Sequence, residues 1–174
     1  MTDLRYPVGQ LTYDDQVTHG KRTAWMRQIA EAPAALRAAV SGLSEAQLDT
    51  PYRPDGWTVR QVVHHVPDSH MNAYIRFKWT LSEDNPTIKA YDQQAWACIA
   101  DTKLTPIDVS LDLLDAVHKR WVVLLESLQE GDWRRPLMHP ENGPMTLDRL
   151  LQLYAWHGRH HAAHITELRK REHF

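Results

Sequence analysis

Leu147-Asp148-Arg149-Leu150-Leu151-Gln152-Leu153-Tyr154-Ala155-Trp156-His157-Gly158-Arg159-His160-His161-Ala162-Ala163-His164-Ile165-Thr166-Glu167-Leu168 reads as one helix carrying four histidines, capped by Thr146 and running to about Arg171. Taking about 100° per residue with His157 at zero, Leu150, Tyr154, Ile165 and Leu168 fall between roughly 20° and 80°. His161 lies near 40° and His157 at the edge of that stripe, whereas His164 falls at roughly −20° and His160 at roughly −60°. His157 and His161 therefore point into a helical core. His160 belongs at its boundary, with His164 close to the pair.

Three further long helices are needed to cover that stripe, and the chain supplies them. Lys21 to Val40 carries Trp25, Ile29, Leu36 and Val40 at helical spacing, with Pro33 as a local distortion and Ser41-Gly42 as its stop. Thr58 opens a second helix to about Glu83, with Val59, Val62, Val63, Val66, Ala73, Phe77 and Leu81 on one side. Pro67 removes a backbone donor there, so a kink or an opened turn is expected beside His64 and His65. Pro106 to Leu128 is the third, with Leu111, Leu114, Val117, Trp121, Leu124, Leu125 and Leu128 as its stripe and Gly131 as its end. A capping box at Ser44 to Gln47 starts a short helix, and Tyr91 to Ala100 holds another short helical segment. Leu137 to His139 and Pro144-Met145 flank Asn142-Gly143 as a small hairpin. The expectation is an all-α chain forming one domain over residues 1–174: an antiparallel four-helix bundle with short extra helices, a small hairpin and an extended arm over residues 1–17.

Composition narrows the function. The chain has 174 residues, 43% hydrophobic and 24% charged, with 20 Lys+Arg against 22 Asp+Glu and a formal net charge of −2, which gives no basic excess for a phosphate backbone. Nucleic acid is excluded as an expected partner. The apolar run Trp121 to Leu125 is far short of the roughly 20 residues of a bilayer span, and no signal peptide is visible. The single cysteine, Cys98, suits a reducing cytoplasm and is read as structural. Glycine-rich phosphate loops, a His-Glu-x-x-His motif and a Glu-x-x-His pair are all absent.

What stands out is 11 histidines. A spacing of four puts two imidazoles on adjacent turns of one face, which allows one helix to give two ligands to one metal. Both His157 with His161 and His160 with His164 have that spacing, and helical phase favours the first. On the second long helix, phase favours His65 over His64, at about 110° against roughly 150° from the apolar centre. Ser69, Asn72 and Arg76 continue the same edge as a polar ledge, the pattern of a pocket wall. His19, His70, His118, His139 and His173 are read as single, hydrogen-bonded structural residues, and Trp57, Trp79, Trp121 and Trp156 as packing residues. Spacing alone leaves two packed core histidines and a metal-ligating pair both open.

Tyr6-Pro7-Val8-Gly9, Leu48-Asp49-Thr50-Pro51-Tyr52-Arg53, the block Gly56-Trp57-Thr58-Val59-Arg60-Gln61-Val62-Val63-His64-His65, Asp68-Ser69-His70-Met71-Asn72, Tyr91-Asp92 and the Trp156 to Leu168 segment resemble the YfiT branch of the DinB superfamily. The resemblance runs almost end to end. It implies a DinB-type bundle, a homodimer, and one divalent metal per chain held by three histidines, carried onto His65, His157 and His161. The expected ion is Zn²⁺, with Ni²⁺ as the alternative. Pro67 departs from the small helix former expected at that place. YfiT-like proteins are named as metal-dependent hydrolases and are similar to thiol S-transferases that use bacillithiol, with mycothiol-dependent relatives in the superfamily. Three neutral imidazoles leave coordination positions open, as in a catalytic site. With no carboxylate evident as a base beside them, the first expectation is an enzyme activating a small-molecule thiol for transfer to an electrophile. The alternatives are a hydrolase using metal-bound hydroxide and a non-catalytic bundle that the metal merely cross-links. His164, Ser69, Asn72 and Arg76 are the pocket candidates.

Overall fold

Helix boundaries in the computed structural model, which describes residues 3–174, follow the capping chemistry of the sequence. Residues 3–18 form an arm without helix or strand; residues 1 and 2 of the expected arm lie outside the described residues. Thr18 accepts from the Lys21 N–H to start α1, His19–Val40. Ser44 and Gln47 form the capping box of α2, Glu45–Leu48, and Thr58 and Gln61 form that of α3, Val59–Ser82. The short segment expected over Tyr91 to Ala100 holds a single turn, α4 (Gln93–Trp96), and a second turn that the sequence reading did not place, α5 (Asp101–Leu104), follows it. α6 spans Ile107–Glu126, ending before Leu128, and Gly131 stands instead at the start of a single 3₁₀ turn over Asp132–Arg134. Strands β1 (Pro136–His139) and β2 (Gly143–Thr146) pair antiparallel, with Gly143 at φ +71° closing the turn where a side chain would be strained. Thr146 caps α7, Leu147–Glu172.

α3 passes through Pro67 without interruption, so the opened turn expected there does not form. Packing holds the helix on both sides of the proline. Val62, Val63, Val66, Ala73 and Phe77 are all essentially inaccessible to solvent.

Cross-helix contacts set the bundle topology. Buried Arg22 of α1 grips Asp148 of α7 with two hydrogen bonds, 2.7 and 2.9 Å, while Arg169 near the end of α7 reaches the Ala39 carbonyl near the end of α1, so α1 and α7 run parallel. His64 meets Ser110, and His70 meets His118, so α3 and α6 also run parallel. Arg76 of α3 meets Tyr154 of α7, and Arg37 of α1 meets Asp112 of α6, which sets each pair against the other. Two helices thus run each way, but each also has a parallel neighbour. A parallel pair needs a connection that travels back along the bundle, and residues 83–106 provide it between α3 and α6. Its first part is tied to β1 where Ile88 N–H donates to the Met138 carbonyl.

Gly158 marks a close approach in the parallel seam of α1 and α7. A Cβ there would stand 2.9 Å from the Cβ of Ala32 and 3.6 Å from the His70 ring. Two apolar clusters fill the bundle. One, around Phe77, Trp121, Leu147 and Leu150, lies toward the hairpin; the other, around Leu36, Val62, Leu114 and Ile165, lies toward the far end. A layer of histidines crosses the bundle between them.

Candidate metal centre

His65 projects from α3 toward His157 and His161, one turn apart on α7, and one ring nitrogen from each of the three lies within 4.8 Å of those of the other two. The His65 and His157 Nε2 atoms are 3.4 Å apart. Burial pushes His65 down to about 4 and holds His157 and His161 well below the ordinary histidine value, so all three are neutral near pH 7. The same neutrality is what ligation of a divalent ion requires.

A chain of buried histidines fixes which nitrogen of His157 is free. The Ile29 carbonyl can only accept, so His118 Nδ1, 2.7 Å away, carries the proton. In a neutral ring His118 Nε2 is then an acceptor, and it accepts a hydrogen bond from His70 Nδ1–H at 2.7 Å. His70 Nε2 in turn accepts from His157 Nδ1 at 3.0 Å. Burial keeps His118 at about 4 and His70 well below its ordinary value, which sustains neutral rings along the chain. Consequently His157 Nε2 bears a lone pair and faces His65. Two ligand nitrogens on a tetrahedral zinc are about 3.3 Å apart, given bonds of about 2.05 Å, close to the spacing of this pair. The donor set therefore fits a divalent ion.

A cavity of about 660 Å³ opens beside the triad, lined among others by Trp57, Tyr52, Gln61, His157 and His161. The arm forms one wall. It runs along α7 through Asp14 N–H to Gln152, Trp156 Nε1–H to the Gly9 carbonyl, and His164 to the Arg5 carbonyl at 3.1 Å. His160, expected at a boundary, is buried because this arm covers it, bringing Tyr6 within 6.0 Å of its ring while Trp156 stacks at 4.1 Å. His160, His161 and His164 form a second group with nitrogens close enough for one ion.

The remaining sequence expectations divide. Ser69 and Arg76 line an adjoining cavity that also reaches His157, and His164 lines the first. Asn72 does not join them, since its amide donates to the Asp68 carbonyl one turn back and it borders neither cavity. His64, which helical phase sets farther than His65 from the apolar centre of α3, is nevertheless buried and bonds Ser110, because α6 packs on that side of α3. Of the four tryptophans read as packing residues, Trp121 is buried, Trp79 is exposed, and Trp57 and Trp156 line the cavity. Trp57 stands 4.7 Å from the His65 ring, centroid to centroid. His70 and His118 are the residues that sequence reasoning left outside the site. Their spacing carried no signal, because each is a single histidine on its helix face.

Comparison with known proteins agrees with this architecture. The DinB superfamily model matches residues 28–165. Proteins from Bacillus cereus, at 57% identity, and from Bacillus thuringiensis subsp. konkukian and Bacillus mycoides, each at 56%, align over 98% of both chains and are provisionally named metal-dependent hydrolases. The solved structure of YfiT from Bacillus subtilis is 44% identical, covers 99% of each chain and superposes with a TM-score of 0.96. Its description pairs a provisional metal-dependent hydrolase reading with an unusual four-helix bundle topology.

Proposed function

From the premise that this chain belongs to the DinB superfamily, we propose that it is a metal-dependent hydrolase in which His65, His157 and His161 hold one divalent ion, Zn²⁺ before Ni²⁺. The observation that carries the reading is the paired Nε2 atoms of His65 and His157, 3.4 Å apart, one of them freed as a lone pair by the His118–His70 chain. When bound, the ion would act as a Lewis acid on a water positioned for attack. His70 holds the His157 ring in register, Trp57 shields the His65 face, and Gln61, Gln93 and Gln94 give the cavity polar groups for orienting a substrate.

The names of the relatives favour hydrolysis over the thiol transfer expected from the sequence. Thiol transfer stays as the second reading on one observation: neither histidine group includes a carboxylate among the described residues. One experiment separates them. The metal-reconstituted chain is given ester and amide panels, and in parallel a small thiol with a model electrophile. Hydrolysed product is expected. Conjugate without hydrolysis would replace the reading with thiol transfer, and inertness across both panels would leave a metal-stabilised bundle.

The reading extends to a homodimer, supported by the resemblance and by Val109, Leu113 and Val123 exposed on one side of α6; sedimentation at micromolar chain concentration checks it. No described helix is long and apolar enough to cross a membrane. Cys98 is free and exposed, which supports a reducing cytoplasmic setting.

A further inference from the structure

Arg76 of α3 is 5% exposed, yet no carboxylate among the described residues pairs with it. Its guanidinium donates to the Tyr154 hydroxyl at 3.2 Å and to the Lys89 carbonyl at 2.9 Å, both neutral acceptors. Its Nε–H is buried with no acceptor at all. Arg22, the comparably buried arginine, differs in kind because Asp148 and Glu130 neutralise it. A buried cation without a counterion is costly, and a native structure that keeps one has a reason to do so.

Arg76 lines the second cavity, about 620 Å³, together with Ser69, Tyr91, His139, Tyr154 and His157. His139 adds a second donor. Its Nδ1 accepts from the Glu141 and Asn142 N–H groups at 3.2 and 3.3 Å, so the neutral ring carries its proton on Nε2. Asp92 and Glu141 also border the cavity. Asp92 is engaged with the Ala95 N–H, and neither acid lies within ion-pair distance of Arg76. His157 borders both cavities, so this cationic floor adjoins the candidate metal centre.

We propose that Arg76 is the anchor of an anion subsite and that the molecule bound beside the metal centre carries a carboxylate, seated on Arg76 with His139 as a further donor. A single uncompensated positive charge matches a monoanion, and a planar guanidinium matches a carboxylate. Calling that molecule the substrate rests on the hydrolase reading. Carboxylate binding itself does not, because it is measured on metal-free protein.

The test follows the Arg76 Nε–H resonance of the metal-free full chain by NMR while butyrate, neutral butyramide and inorganic phosphate are titrated separately. Butyrate is expected to shift that resonance and to bind about tenfold or more tightly than butyramide, the ratio a charge-assisted hydrogen bond supplies. Arg76→Lys should weaken butyrate while leaving butyramide unchanged. Thermal unfolding of Arg76→Met, which fills the space without the charge, should show no loss of stability beyond that of Arg76→Lys. An unmoved resonance, equal binding of butyrate and butyramide, or phosphate binding tighter than butyrate would each overturn the proposal. Failure here with hydrolysis still observed would leave the proposed function standing, and the converse result would remove the activity while keeping the subsite.

Discussion

α7 carries two histidine pairs of identical spacing, and their surroundings could hardly differ more. His157 and His161 face α3, where His65 meets them and a chain of two further imidazoles fixes a proton on the far side of His157. His160 and His164 face the arm and the loop before α3, where Trp156 stacks on one ring, Tyr52 stacks on the other at 3.9 Å, and the Arg5 carbonyl accepts a hydrogen bond from His164 Nε2–H. Both groups meet a distance criterion for an ion. A backbone carbonyl sets a lone pair in each, Ile29 through two rings in the first and Arg5 directly in the second, but in the first the freed nitrogen, His157 Nε2, stands 3.4 Å from a ligand nitrogen of another helix, His65 Nε2. Proximity gathers donors, whereas the neighbours of those donors decide whether a lone pair is aimed at a common point.

The comparison breaks most decisively at the ligands. His65→Ala or His157→Ala should abolish binding of one ion per chain, read by metal analysis after gel filtration, while the double variant His160→Ala, His164→Ala should retain it. The opposite pattern would make the second group the metal site. The next effect is on affinity. His70→Ala and His118→Ala should each weaken metal binding by roughly 10–100-fold, measured by chelator competition, since each removes a link that holds His157 in its tautomer. Tyr52→Ala, which strips the stacking partner of His164, should leave metal affinity unchanged.

The smallest effect is a pH slope. His65, His118 and His164 titrate near 4 when folded and His160 near 3, all lowered chiefly by burial, against 6.5 in an open chain. Below 6.5 the unfolded chain binds protons that the folded chain refuses, so stability falls as pH drops from 6.5 toward 4. Asp68 opposes this, being raised to about 6 by burial, but His70, His157 and His161, which burial also holds well below the ordinary value, add to the other histidines. Denaturant titration of the metal-free chain should show the loss, and added Zn²⁺ should protect at pH 7 more than at pH 5.

Much of this was legible in the chain itself. Ser44 and Thr58 with their glutamines located two helix starts, Asn142-Gly143 located the turn, and helical phase separated the histidine pair that meets His65 from the pair that does not. Phase failed where burial comes from more than one direction. His64 and His160 are covered by α6 and by the arm respectively, contacts that no periodicity of their own helices encodes. The parallel neighbours α1 and α7 were equally invisible, because each helix displays only its own stripe and not the direction of whatever fills it. His70 and His118 carried no such signal because the relay from the Ile29 carbonyl to His157 draws one residue from each of four helices.

Gly158 gives that relay an unexpected fragility. The position lies in the α1/α7 seam, but the space it leaves free is bounded by Ala32 on one side and the His70 ring on the other. One added methyl would wedge the two helices apart at Ala32, where 2.9 Å is closer than carbon atoms pack, while at 3.6 Å it would only touch the His70 ring in ordinary van der Waals contact. Relief at Ala32 would come from a shift of α1 against α7, and Ile29, whose carbonyl anchors the relay through His118, lies about one turn from Ala32 on that same helix. A redesign of that seam would move the acceptor that sets the His157 tautomer without touching a ligand.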